Sequence, residues 1–232
     1  MAAAIKQPKP FNVKGKTIVS FLGEAEWCKV LPRQMETKFT PRGQFSINVT
    51  TEPNADWEAF TSKINEMIET ALQEALNDEG SMKLTPSKKK TLTVVYPWKD
   101  HVIKEKDDDG KYTIEIETGK MVIQPKMKDV LDRQPGKNRV QIIGAGNTPI
   151  PIDEAPEIGN GSKIKVKMFV NPYYMPTTNQ IGVSLGLEAI KVYELVEYGK
   201  GAEGGEDFDD LDGADLGGGS KHSADDSDEL DF

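Results

Sequence analysis

Cysteine and histidine are almost missing from this chain. Cys28 is the only cysteine, so no intramolecular disulfide and no cysteine-based zinc site can form. The histidines are His101 and His222, too few for a histidine metal centre, and a Ser/His/Asp hydrolase would have only His101 to use. No apolar run approaches the roughly 18–20 residues of a membrane span. Residues 1–10 lack the apolar stretch of a signal peptide. These absences predict a soluble, cytoplasmic protein of a reducing compartment that holds no metal or cofactor. Aromatics are also sparse, at 7% of 232 residues, and basic charge is scarce at one end. Residues 200–232 hold twelve acids and two lysines, a net −10, which leaves +1 on residues 1–199 out of a total of −9. The acidity therefore belongs to a tail, and the body is nearly neutral.

What is present divides the chain into three parts. Residues 1–15 are rich in lysine and proline and are predicted to be flexible. Residues 16–28 form a β-rich run with Gly23 inside it, and 44–50 alternate, with Phe45, Ile47 and Val49 on one side. Between them lies a polar loop carrying Lys29, Arg33, Lys38 and Arg42. Residues 54–78 carry apolar side chains at Trp57, Phe60, Ile64, Met67, Ile68, Ala71, Leu72, Ala75 and Leu76, one continuous helical stripe with Asn54 placed to cap it. Short strands follow at 92–98, 102–103, 112–116, 121–123, 139–143, 163–170 and 181–195. Asp109-Gly110 marks a hairpin, and Asn171-Pro172-Tyr173-Tyr174 is read as a turn. Many short strands around one long helix predict a mainly β fold, a small, partly closed barrel spanning 16–198. Beyond Gly199, glycine and acids dominate; such a segment cannot bury enough apolar area to offset its chain entropy, and 199–232 is predicted to be disordered.

Motif-like runs for catalysis fail on their spacing. Asp107-Asp108-Asp109-Gly110 looks like the start of a calcium loop, but position 12 falls on Ile116 rather than glutamate. Gly136-Lys137 lacks both the upstream glycine and the following Ser/Thr of a phosphate loop. Glu115 and Glu117 alternate with Ile114 and Ile116, as on the outer side of an ordinary strand. Two features carry more. In Ser162-Lys163-Ile164-Lys165-Val166-Lys167-Met168, three lysines alternate with apolar residues, so one face packs while the other sets positive charges about 7 Å apart. That spacing is close to the phosphate repeat of a single strand. The second feature is the acidic tail, which would compete with a polyanion and present Leu230-Asp231-Phe232 to partner proteins.

Several runs resemble the bacteriophage single-stranded DNA-binding proteins of the OB-fold, acidic-tail type. They are Ile142-Ile143-Gly144-Ala145-Gly146, Gly159-Asn160-Gly161-Ser162-Lys163, Val170-Asn171-Pro172-Tyr173, and Val183 through Leu195, followed by the glycine-and-acid tail ending in Asp231-Phe232. Ser20 through Ala25 and Pro41-Arg42-Gly43 fall in the same order near the start. The resemblance implies a five-stranded OB barrel, monomeric or homodimeric. Such a protein coats single-stranded DNA in replication, recombination and repair, and recruits a DNA polymerase or helicase/primase through its C-terminus. In a phage-encoded protein this would happen in the host cytoplasm. On this reading the chain is not an enzyme. The phosphate track comprises Lys163, Lys165, Lys167, Arg42, Lys38, Arg33 and Arg139. The bases stack on Trp27, Tyr112, Phe169, Tyr173 and Tyr174, while Trp98 is left undecided between surface and core. The rival expectation is an acidic-tailed chaperone or assembly adaptor that holds a basic protein instead of DNA.

Overall fold

A computed structural model describes residues 14–38, 43–77, 84–106, 110–128 and 140–197. All of them lie in the first of two units, Met1–Lys200. The predicted flexible N-terminus up to residue 13 and the predicted disordered tail fall outside the described residues, as do Arg42, Arg139, Leu230, Asp231 and Phe232. No helix among the described residues is long and apolar enough to cross a membrane.

In chain order the elements are β1 (Lys16–Val19), β2 (Gly23–Lys29), β3 (Gln44–Thr51), α1 (Ala55–Asn77), the short α2 (Pro86–Lys90), β4 (Thr93–Val95), β5 (Trp98–Lys106), β6 (Tyr112–Ile123), β7 (Lys126–Lys128), β8 (Gln141–Ile143), β9 (Pro149–Ile150), β10 (Lys163–Met175) and β11 (Gln180–Glu194). The fold is mainly β with one long helix, as predicted. The first apolar run is one strand broken at 20–22. Its β1 half pairs with β10, and its β2 half pairs with β3 and the start of β10. Ser20 fills the break: its N–H donates to the Val166 carbonyl at 2.8 Å, and its Oγ accepts from the Val166 N–H at 2.9 Å. The sheet then runs from β3 to β6 and β7, from β7 to β11, and from β11 back to β10. This ring is closed only thinly. β7 meets β11 at the single pair Gly186–Lys126, and β10 meets β2 at two pairs. It is a ring of strands rather than a clean barrel, in keeping with partial closure.

Helix α1 packs its buried face against β10 and β11 and joins the core. Asn54 Oδ1 accepts from the Trp57 N–H at 2.9 Å, satisfying one of the amides that a helix start leaves unpaired. Asp56 and Glu58 in the first turn suit the positive end of its dipole. The predicted stripe faces inward through Trp57, Phe60, Ile64, Met67, Ile68, Ala71 and Ala75. Phe21 meets Trp57 and Phe60 edge-on at 5.3 and 5.4 Å, and Trp98 packs against Trp57 at 5.7 Å. Burying one side chain such as Ile64 contributes about 1.5–3 kcal/mol.

Two expectations about strands need correcting. Asn171 to Tyr174 is not a turn; β10 runs straight through it, and the reversal comes at 176–179. On β10's other side the pairing with β1 reaches Val170, and among the described residues no strand pairs beyond it, so Pro172 sits where a missing N–H is tolerated. The second concerns the β5–β6 hairpin. Ile114 and Ile116, expected to face a core opposite the glutamates, are exposed along with Val102 and Ile103.

Candidate nucleic-acid interface

Strand β10 alternates without a fault. Ile164, Val166, Met168 and Val170 are fully buried, while Lys163, Lys165, Lys167, Phe169 and Tyr173 point outward. One predicted stacking residue is lost to this parity. Tyr174 belongs to the inward set, is 3% exposed, packs with Ala71, Ala75, Leu84 and Ile181, and donates its hydroxyl proton to Asn179 Oδ1 at 2.9 Å. Its ring cannot stack on a base.

The predicted phosphate track is partly committed to carboxylates. Glu24 lies opposite Lys163 in the ladder and accepts from Lys163 Nζ at 2.8 Å and from Lys120 Nζ at 2.6 Å. Hydrogen bonds from Lys120 and then Lys163 hold the Glu24 carboxyl below the usual range, and the same contact holds Lys120 above its own. Lys167 lies 4.0 Å from Glu188, and Arg33 reaches Glu157 at 2.6 Å. Lys38 is exposed. Lys165 has no ion-pair partner among the described residues.

Trp27 and Tyr112 line one cleft and Tyr96, Trp98 and Tyr173 a second, while the predicted stacking residue Phe169 is exposed on β10 and lines neither. β2 carries one extra residue against β3: Glu26 faces Asn48, while Lys29 faces Ser46. That bulge puts Trp27 in the left-handed region at φ 50° and turns its ring outward, 69% exposed, while its N–H donates to Asn160 Oδ1 at 3.0 Å. Trp27 and Tyr112 line a cleft of about 780 Å³ together with Ile103, Lys104 and Asn160. Tyr112 is 63% exposed, and the Lys106 ammonium sits 5.3 Å from its ring centre. At the floor, His101 Nε2 lies 2.9 Å from Glu26 Oε2, and its Nδ1 lies 2.9 Å from Thr118 Oγ1.

The sequence reading missed most of the second cleft, of about 490 Å³. Tyr96 stacks on Trp98 with ring centres 5.0 Å apart, and Tyr173 lines the same space. Lys99 and Lys126 line it too, and no carboxylate does among the described residues. Gln124 Nε2 donates to Asn48 Oδ1 at 2.9 Å within it. The cleft opens where the ring is unsealed: β4 pairs with β11 only through Gly182, and β7 meets it only at Gly186, so Val183, Ser184 and Leu185 border a gap. The two clefts lie on adjoining strands, because Glu26 of the first stands directly opposite Asn48 of the second. The available signal was Tyr96-Pro97-Trp98, two aromatics flanking a strand-breaking proline; Lys99, Lys126, Asn48 and Gln124 have no local signature.

No protein-family model matches the chain. A single-stranded DNA-binding protein of Enterobacteria phage T3 is 27% identical over 197 residues, which cover 82% of this chain and 81% of that relative. Among solved structures, gp2.5 of bacteriophage T7, a single-stranded DNA-binding protein, matches with a TM-score of 0.57 and 21% identity, covering 79% of this chain and 94% of that one. A C-terminal truncation of the single-stranded DNA-binding protein of bacteriophage Enc34 gives a TM-score of 0.48 at 14% identity, covering 82% and 95%. In sequence over four-fifths of its length, and in fold, the chain is similar to the bacteriophage single-stranded DNA-binding proteins that its C-terminal motifs resemble.

Proposed function

We propose that the chain binds single-stranded DNA without sequence preference, through the two clefts lined by β2, β3, β5, β6 and β7 and by Tyr173 of β10. The observation that carries this reading is the pair of adjoining clefts, one walled by exposed Trp27 and Tyr112, the other by Tyr96, Trp98 and Tyr173 with Lys99 and Lys126 beside them. Splayed bases stack on the rings at about 1–3 kcal/mol each, and every base offers a π-face, so sequence matters little. Lysines neutralise the phosphates: Lys99 and Lys126 in the second cleft, with Lys38 and the outward lysines of β10 as further contacts. The name of the T3 relative supports the same ligand. A chaperone for basic proteins suits this face poorly, since Lys99 and Lys126 would repel a cationic partner from a cleft that holds no carboxylate among the described residues.

In this reading residues 16–198 are the DNA-binding domain and 199–232 an acidic tail. The tail competes for the basic face and recruits replication proteins, a DNA polymerase or helicase/primase, through Leu230, Asp231 and Phe232. The setting is phage replication, recombination and repair in the host cytoplasm, by a monomer or homodimer, with no catalytic step. A titration of a fluorescent oligo-dT, single and in duplex, tests the reading across salt concentrations. Single strands should bind more tightly, with log affinity falling by about 0.7 per phosphate against log salt. Trp27→Ala and Tyr96→Ala should each weaken binding without changing that slope. Salt-independent affinity, or equal affinity for duplex, overturns the proposal. Removing residues 200–232 should tighten binding at low salt, because a tethered −10 segment acts at roughly millimolar effective concentration. Equal affinity of full-length and truncated chains removes the competitor role, and undiminished polymerase capture after deletion of Phe232 removes the docking role.

A further inference from the structure

Lys120 of β6 and Lys163 of β10 meet at one carboxylate, that of Glu24 on β2. Glu24 gives one oxygen to each, Oε1 to Lys163 and Oε2 to Lys120, at 2.8 and 2.6 Å. The triad is open to solvent, with side-chain exposures of 31% for Glu24, 30% for Lys120 and 40% for Lys163. It lines a cleft of about 320 Å³ shared with Thr50, Thr51 and Asn54. The other acids near it are Glu52 and Glu26, both of which act on Lys120, and Glu26 is already engaged by His101. A core ion pair would be sealed from water; this one holds two ammonium groups around a two-oxygen anion in an accessible cleft beside the lysine row.

We infer that Lys120 and Lys163 form a phosphodiester-binding subsite and that Glu24 is the chain's internal competitor for it, displaced when a single strand occupies the face. The inference rests on the proposed DNA-binding function and adds to it a residue that limits affinity. A phosphodiester offers the same two-oxygen acceptor as the carboxylate, so both ammonium groups can transfer to it. The strand must first displace a tethered anion, which lowers affinity and hides two lysines from the salt dependence. Lys165, with no ion-pair partner among the described residues, is under no such restraint.

The test uses the full chain, a fluorescent oligo-dT and a series of salt concentrations. Glu24→Gln keeps the side chain's size and removes its charge. It should bind about five-fold more tightly at low salt, with a log–log slope steeper by about 0.7–1.4, one to two more phosphates neutralised. Adding Lys120→Gln and Lys163→Gln to Glu24→Gln should cancel both gains. A gain that survives in the triple variant would reflect net charge alone and overturns the inference, as does a Glu24→Gln variant that binds like wild type. Should Glu24→Gln fail to fold, Lys163→Ala and Lys165→Ala in the wild-type chain decide instead. Lys165→Ala should lower the slope by about 0.7 and Lys163→Ala should barely move it. Equal losses overturn the inference. If wild type binds with a salt slope and these variants do not separate, only the competitor role falls; if wild type shows no salt-dependent binding, the function proposal falls with it.

Discussion

Gly182→Ala probes whether the second cleft is held open by packing. Gly182 lies on β11 opposite Tyr173 and beside Val95 of β4. A Cβ there would meet the Val95 carbonyl oxygen at 2.6 Å, Tyr173 Oη at 3.0 Å and Tyr173 Cζ at 3.2 Å. The Tyr173 ring can swing away. The Val95 oxygen is backbone in a three-residue ladder with β11, so relief requires β4 to shift by several tenths of an ångström. Overpacking of this kind costs about 1–3 kcal/mol, and the stiffer unfolded chain of alanine returns about 0.4–1 kcal/mol. The net loss should be about 1–2 kcal/mol, or roughly 2–8 °C in melting temperature for a domain of this size. Gly186, four residues along the same strand, provides the control, since its nearest atom would lie at 3.3 Å. Gly186→Ala should stay within about 0.5 kcal/mol of wild type. Denaturant unfolding at constant m-value reads both. Because the Tyr173 ring that must swing away lines the cleft, Gly182→Ala should also weaken oligo-dT binding. Tyr173→Ala in the same chain should restore only part of the stability, as the Val95 contact remains. Equal stability of the two glycine variants would refute the reasoning.

Trp27→Gly removes the ring and relaxes a left-handed backbone that costs an L-residue about 1–2 kcal/mol; thermal stability should hold or rise while oligo-dT affinity falls, and loss of both would show that the ring is a packing residue. Glu24, held below its ordinary value of 4.5 by Lys120 and Lys163, stabilises the fold above that pH and stops doing so as pH falls through its lowered value. The stability gap between wild type and Glu24→Gln, read as denaturant midpoints, should therefore be present at neutral pH and close in acid below 4.5; a gap that widens in acid contradicts the sign. Burial pushes the Cys28 thiol up to about 12, so Ellman's reagent should react only in denaturant, and rapid labelling of the folded chain would show that the site opens.

The elements that could be read from the sequence are those whose period is their own. The α1 stripe needs only the 3.6-residue repeat of 54–78, and β3 and the first half of β10 need only alternation. Tyr174 was also within reach. It shares parity with Ile164, Val166, Met168 and Val170, and carrying the alternation two pairs further would have buried it. Reading Pro172 as a strand stop broke the count, although whether a proline stops a strand depends on its neighbours in the sheet, which the chain does not print locally.

The site is harder because its geometry depends on departures from period and on distant partners. Strict alternation along β2 would place Trp27 on the inward side with Gly23 and Ala25; the bulge reverses it, and Asn160, 133 residues away, accepts its N–H. Trp27 was therefore named by residue type alone, since nothing in 16–28 encodes the bulge. The lysine row shows the opposite case. Its face was correctly placed, but its free charge was overcounted, because Glu24 lies 139 residues from Lys163 and 96 from Lys120. A periodic pattern fixes which way a side chain points. Whether its charge is available to a ligand is set by whichever strand the ring brings alongside, and here that strand delivers a carboxylate to one end of the row and leaves Lys165 uncovered.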